Sequence, residues 1–437
     1  MLSTDARTTR AHPLCAFMRM QWLGYCALVA LLIVVYITIA ARGVWLGVDY
    51  ADFRAASLVL MHGGNPYDTA QLWRQENALY NTLPRLHPGD AGYYPLDVYR
   101  NPALFAIILI PLARLSFAQG FLIYSVLVVA LTIAGVWLTL QALDWTRGRL
   151  APAIAITLVS PRVFLCVWNG QQSTLLLCAL GGSLFALRRE RPDLAGALMA
   201  VGWVKPHLLI PVAIAAPFLL ARGGALRWCA GFGLVSALGV VLIVETAGAR
   251  SLTAWLTSLF GYSGYTNAAG VAHVDAIQSY LPSLSGMVLV LAPHSWNKLV
   301  ATAVMICGVG AMLWIIVDTR RHGRMPHAGV CALVAVWLLC TPYVHTNDDV
   351  LLLPSLALAW GANATLQPRL LPLLALWAFS ALSLAFLLPQ PASLLGLLPP
   401  ILILVATARA RDAWGSDTVP LRVDGRAMTW GTGVARR

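Results

Sequence analysis

Apolar runs long enough to cross a lipid bilayer recur along almost the whole of this 437-residue chain. A hydrocarbon core of about 30 Å needs roughly 20 residues of helix. Helices are the natural solution, because each satisfies its own backbone hydrogen bonds in a solvent that offers none. Composition agrees: 59% of residues are apolar, 11% are charged, and mean hydropathy is +0.72. A soluble domain carries about 25% charged residues. The sequence therefore predicts an all-α integral membrane protein, a polytopic bundle of about 11–13 transmembrane helices with long non-cytoplasmic loops.

The net charge of +12 is not a nucleic-acid footprint. Basic residues sit in short tracts between apolar runs, such as Arg188, Arg189 and Arg191, or Arg320, Arg321 and Arg324. That is the positive-inside pattern. The eight cysteines are scattered, without a CxxC, and mostly lie inside apolar runs. They read as small buried hydrophobes. The run from Leu23 to Ala41 is too long for a signal-peptide core and reads as a retained first span.

Three parts follow: a cytoplasmic segment 1–22, a membrane domain 23–408 and a cytoplasmic tail 409–437. Two external loops, 42–101 and 248–283, interrupt the domain. The first holds six of the chain's 18 acidic residues. Further spans are expected at 119–142, 151–168, 173–187, 193–204, 206–221, 228–247, 298–317, 327–341, 349–360, 369–386 and 393–408. The tracts 143–150, 188–193, 222–227 and 318–326 belong inside, whereas 169–173, Lys205 and 341–349 belong outside. Parity then leaves two readings. Either the 14-residue run 102–115 is interfacial or re-entrant, or 193–221 is a single tilted span with Lys205 within the membrane.

Polar groups at unusual positions gather on the non-cytoplasmic face. Asp49 and Asp52 follow the first span and share a helical face. A carboxylate there can take a proton from an incoming hydroxyl, or simply sit well at a helix N-terminus. HGGNPYD (62–68) is a turn that ends the helix begun near Asp52. Gln171 lies in the polar interruption NGQQS. Lys205 has apolar runs on both sides, and intramembrane ionisable residues are functional candidates. It can hold a lipid phosphate, with His207 assisting. His345, Asp348 and Asp349 form a dense polar cluster, too common in spacing to argue for a metal. Gln278 and Ser279 stand in the second loop, where they can meet a sugar.

These residues resemble a known family. VDYADFRAASLVLMHGGNPYD is similar to the first-loop signature of the family 87 glycosyltransferases (the domain of unknown function 2029 group), with Asp49, Phe53, Ala55, Ala56, Gly63, Gly64, Pro66 and Tyr67 in place. YRNPALFAIILIPLA, NGQQSTLLLCAL, AGALMAVGWVKPHLLIPV, IQSYL and TPYVHTND resemble its later motifs in order, over about residues 44–354. Ser173 stands where the family usually has Asn, and Ile277 replaces another Asn.

The resemblance implies a glycosyltransferase C architecture, and a Gly-, Ala-, Leu- and Arg-rich chain without a cysteine framework suits a plasma membrane, such as a bacterial inner membrane. The resemblance also implies inverting transfer of a hexosyl group, typically mannosyl, from a polyprenyl-phosphate-linked donor to a glycan or glycolipid acceptor outside the cytoplasm. Asp49 is then the general base, with Asp52 second. Lys205 and His345 lie near the donor phosphate. From their places in the chain, Gln171, His207, Gln278, Ser279 and Asp348 are candidates to contact substrate. No metal, cofactor or nucleic acid is expected. A transporter or flippase of a lipid-linked or small substrate is the alternative, against which stands the lack of an inverted repeat. A ligase or polymerase acting on lipid-linked glycans is a further rival.

Overall fold

The computed structural model describes residues 47–80, 99–260, 296–341 and 344–361, except 146, 159 and 346. It also describes the short pieces 283–285, 288, 401–405, 422–423 and 426–427. The segment 1–22, the spans at 23–41 and 369–386, most of the span at 393–408, most of the tail, and Gln278 and Ser279 lie outside the described residues.

The regular elements among the described residues are helices, apart from a short antiparallel ladder of Arg422–Val423 with Arg426–Ala427. Helix α1 (Val48–Met61) starts after Gly47, whose φ of 77° suits glycine. A Cβ at Gly47 would lie 2.7 Å from the Phe121 ring. Asp49 occupies the first turn, where the helix dipole favours a carboxylate. The helix ends at His62 and Gly63, as the turn HGGNPYD requires. Asp68 then caps α2 (Thr69–Tyr80), accepting from the Ala70 and Gln71 amides at 3.0 and 3.2 Å.

Helix α3 (Ala103–Ala113) has 11 residues, about 16 Å of helix, too short to cross the core. It packs on α1, with Phe53 edge-on to Phe105 and the Ser57 hydroxyl donating to the Ala106 carbonyl at 2.8 Å. The run 102–115 is thus not a full crossing. Helix α4 (Phe117–Ala142) is long and apolar enough to be one, and it opens with a capping box between Ser116 and Gln119.

Helices α5 (Arg147–Leu158) and α6 (Pro161–Asn169) lead back to α7 (Ser173–Arg188). Helix α7 lies parallel to α4. A Cβ at Gly135 would be 2.8 Å from the Cys178 nitrogen, and one at Gly181 would be 2.4 Å from the Gly135 carbonyl. Small residues allow this close approach, as is common between helices in lipid.

The run 193–221 is a hairpin. Helix α8 (Pro192–Met199) tightens into 3-10 geometry over Ala200–Val204 and breaks at Lys205 (φ −132°, ψ 80°). Helix α9 (Pro206–Ala215) returns, ending in 3-10 geometry over Ala216–Leu219. Helix α10 (Arg222–Ala247) proves the reversal, because one level of it touches both arms. Arg227 pairs with Asp193 at the start of α8 at 2.8 Å, while the Trp228 indole donates to the Ala213 carbonyl late in α9 at 3.1 Å. Lys205 therefore stands at the tip, and the reading of a single tilted span is set aside. The arms have 13 and 14 residues, too few to cross fully.

Gly196 carries this packing, since a Cβ there would sit 2.1 Å from the Trp228 carbonyl. Gly196→Val is expected to lower stability by about 1–3 kcal/mol, the usual cost of overpacking. Thermal unfolding of the purified protein in detergent reads it, and an unchanged midpoint contradicts the close α8–α10 contact.

Helix α11 (Ala249–Phe260) follows α10. Helix α12 (Asn297–Arg321) is long and lipid-facing, with Leu299, Ile306, Leu313 and Trp314 exposed. Helix α13 (Pro326–Cys340) is buried throughout from His327 to Cys340. A helix apolar and buried on every side is a central one. The chain then turns through 3-10 geometry at Asp348–Leu352 into α14 (Leu353–Gly361). Among the described residues, Phe117–Ala142, Arg222–Ala247 and Leu299–Arg321 are long and apolar enough to cross a membrane, and five shorter apolar helices pack beside them.

Arginines gather at one end of the bundle. Arg188 pairs with Asp144 at 2.6 Å, Arg227 with Asp193, and Arg320 donates to the Leu220 carbonyl at 3.0 Å. The N-terminus of α7, the hairpin tip and the C-terminus of α13 all point away from that end.

Candidate functional site

At those tips, side chains from four distant segments join in one hydrogen-bonded network. Gln171 follows α6, where Gly170 (φ 75°) turns the chain and the Gln171 amide donates to the Cys166 carbonyl at 2.8 Å. Its side-chain Nε2 donates to Asp49 Oδ2 at 2.6 Å. Its Oε1 accepts from Lys205 Nζ at 2.7 Å. The two partners fix which end of the amide faces which.

Lys205 Nζ also donates to Asp348 Oδ1 at 2.7 Å and to Ser173 Oγ at 3.3 Å. Lys205 is 7% exposed and Asp348 is fully buried. An ammonium has three N–H donors, and these three contacts use them. Around Asp348, the Ser173 hydroxyl and the Asn347 amide also donate to Oδ1, and the His345 backbone N–H donates to Oδ2 at 3.0 Å. Asp348 is the counter-ion of Lys205.

The charges follow from these contacts. Burial pushes the Asp348 carboxyl up, but the Lys205 ammonium and the donated hydrogen bonds outweigh it and hold the group at about 2. Burial lowers His345 to about 4; Asp348 opposes this while Lys205 and Arg100 add to it. The imidazole is thus neutral at physiological pH, a hydrogen-bonding group rather than a charge.

The structure brings Asp49, Gln171, Lys205 and Asp348 together, with the His345 backbone beside them. Asp52 is buried one turn along the same helix as Asp49. His207 is held to α13 by its backbone carbonyl, which accepts from the Trp337 indole at 2.6 Å and the Thr341 hydroxyl at 3.5 Å.

Sequence reasoning passed over several members. Asn347 braces Ser173 through its amide at 3.2 Å. Arg162 forms a second buried ion pair with Asp349 at 3.3 Å, beside the first. Gln172 donates to Asn101 Oδ1 at 2.6 Å, tying the turn to the segment before α3. Arg162 could have been found, because an arginine inside an apolar run is itself a signal. Among the described residues no group of three or more His, Cys, Asp or Glu could hold a metal ion.

Chemically, the arrangement offers a part-exposed carboxylate held by an amide, with a buried ammonium behind it and a neutral imidazole nearby. The family model for glycosyltransferase family 87 matches residues 99–342, more than half of the chain. No curated protein matches it.

Proposed function

The chain belongs to glycosyltransferase family 87, and on that premise we propose that this membrane glycosyltransferase takes a hexosyl group, a mannosyl group first among candidates, from a polyprenyl-phosphate carrier. The acceptor is a glycan or glycolipid hydroxyl. The observation that carries the reading is the chain Asp49–Gln171–Lys205–Asp348, which sets the Asp49 side chain in line with a buried lysine.

Asp49 is the general base. The acceptor oxygen attacks the anomeric carbon as Asp49 takes the hydroxyl proton. The bond from that carbon to the phosphate oxygen breaks on the opposite side, and its electron pair leaves on the phosphate. Configuration inverts. The Lys205 ammonium favours the developing negative charge through its field, and His345 offers a neutral hydrogen-bond donor. The prenyl tail stays among the exposed apolar side chains of the lipid-facing helices. Gln278 and Ser279 remain candidates for the sugar.

The arginine-bearing ends favour a cytoplasmic placement of that end. The network then faces the other side of a plasma membrane, such as a bacterial inner membrane. A lipid-linked donor suits that side, where cytoplasmic nucleotide sugars are absent.

Purified protein in vesicles, given a polyprenyl-phosphate-linked hexose and an acceptor glycan, is expected to release polyprenyl phosphate and form a product of inverted configuration. A transporter or flippase moves the donor and releases none, and that result overturns the reading.

A further inference from the structure

The ammonium of Lys205 cannot both keep its three observed hydrogen bonds and donate to a phosphate. Those bonds run to Gln171, Asp348 and Ser173, at 2.7, 2.7 and 3.3 Å. One of them leads away from the ion pair and directly to the carboxylate of Asp49. The Gln171 side chain receives the ammonium on its oxygen and gives its N–H to Asp49. A cation on the amide oxygen draws electron density from the amide nitrogen. Linked hydrogen bonds polarise one another, so the N–H becomes a stronger donor.

We propose that Gln171 and Lys205 are positioning residues for Asp49, a two-member relay that aims its carboxylate and keeps it ionised. Gln171 is then not a ligand of the sugar, and Lys205 acts on the base through the Gln171 amide and on the phosphate only by its field. The inference rests on the reading of Asp49 as the base.

The surroundings of Asp49 support this. Among the described residues, Tyr124 of α4 and Cys166 of α6 feel the charge of Asp49. A phenol and a thiol are uncharged at physiological pH. Arg54, further along α1, turns its Nη2 to the Leu115 carbonyl at 3.1 Å. Arg162 is paired with Asp349. Asp348 is matched by Lys205, and His345 is neutral. The Lys205 ammonium reaches Asp49 along a direct hydrogen-bonded path through Gln171. The amide has a further positional effect. Both its ends are held, so it fixes the rotamer of a carboxylate in the first turn of α1.

The test follows the ionisation of Asp49 itself. Infrared titration of the full-length protein in nanodiscs reads carboxylate bands, and the Asp49 band is assigned by its loss in Asp49→Asn. Gln171→Leu is expected to raise the Asp49 midpoint by about one pH unit, the scale on which a hydrogen bond to the charged form shifts a carboxyl. Lys205→Met combined with Asp348→Asn removes the cation without stranding a buried charge, and is expected to raise it similarly. In the Gln171→Leu background the same pair should add less than about 0.3 unit, because the path is already cut. An unmoved midpoint in Gln171→Leu, or fully additive shifts, overturns the relay.

Turnover gives a second readout. The acid limb of kcat/KM should move with the midpoint while donor KM holds within about twofold, since uniform binding is untouched. A raised KM with an unmoved limb makes Gln171 a substrate ligand and overturns the inference. Full activity of Asp49→Asn overturns both the relay's purpose and the proposed base. Absence of polyprenyl phosphate release refutes the donor alone, because the titration needs no donor and still judges the relay.

Discussion

Asp49→Asn is expected to lower sugar transfer by about 10²- to 10⁴-fold, the usual contribution of a positioned general base. The substitution keeps the side chain's shape and an oxygen that accepts from Gln171 Nε2, so the network and fold should persist. It removes only the site that takes the proton. Asp52→Asn is expected to retain most activity, because the network reaches Asp49 while Asp52 lies buried a turn away. Release of polyprenyl phosphate from a labelled donor, with donor KM measured alongside, checks both. Donor KM should stay about constant in Asp49→Asn, since an interaction made only in the transition state has been lost. Full activity in that variant removes Asp49 as the base. Loss in Asp52→Asn with Asp49→Asn active transfers the role to the neighbour.

Hydropathy made the all-α membrane class readable, since apolar length is a property of a single segment. Local turn chemistry was equally legible. HGGNPYD ends α1, and Asp68 caps α2, because glycines and short polar side chains act on their own neighbourhood. The run 102–115 was too short to cross, and α3 shows it packed on α1 instead. The parity question around Lys205 needed the third dimension. Whether α8 and α9 continue or reverse depends on Trp228 and Arg227, which lie on another helix.

The site was legible as a set of residues, not as an arrangement. Gln171 stood out as part of a polar turn, but nothing local says that its two ends bridge Asp49 and Lys205. Those contacts span 122 and 34 residues of chain. Asp348 read as a group for substrate, and nothing in the sequence marked the donors that surround it, Lys205, Ser173, Asn347 and the His345 backbone. An acidic residue beside a membrane boundary looks the same in sequence whether it faces a ligand or a lysine 143 residues away. Ser173, where the resemblance leads one to expect Asn, sits at the centre of this cluster. Its hydroxyl donates to Asp348 and accepts from Lys205 and the Asn347 amide, so Asn347 supplies an amide in the same cluster.

The largest stability effect is expected from breaking the Lys205–Asp348 pair on one side only. Lys205→Met leaves a fully buried carboxylate facing the Ser173 hydroxyl, the Asn347 amide and one backbone N–H, with no cation. Removing one partner of a buried pair typically costs about 3–5 kcal/mol, because the remaining charge stays desolvated. Asp348→Asn strands the ammonium, and a similar loss is expected, eased by its bonds to Gln171 and Ser173. The double variant has no charge to strand, and should recover most of the loss, since neutral replacement of a buried pair is often tolerated. Thermal unfolding of the three proteins in one detergent gives the comparison. The sign with pH is also fixed. Lys205 holds Asp348 at about 2, so the ionised carboxylate stabilises the fold fully above the ordinary carboxyl range near 4. That contribution fades as pH falls from about 4 towards 2, and it should be missing from the double variant, whose stability then varies less with acid. A double variant no more stable than either single one shows that the pair is held for its specific geometry and not for charge balance. In that case the ammonium, the carboxylate and the serine between them act as one unit.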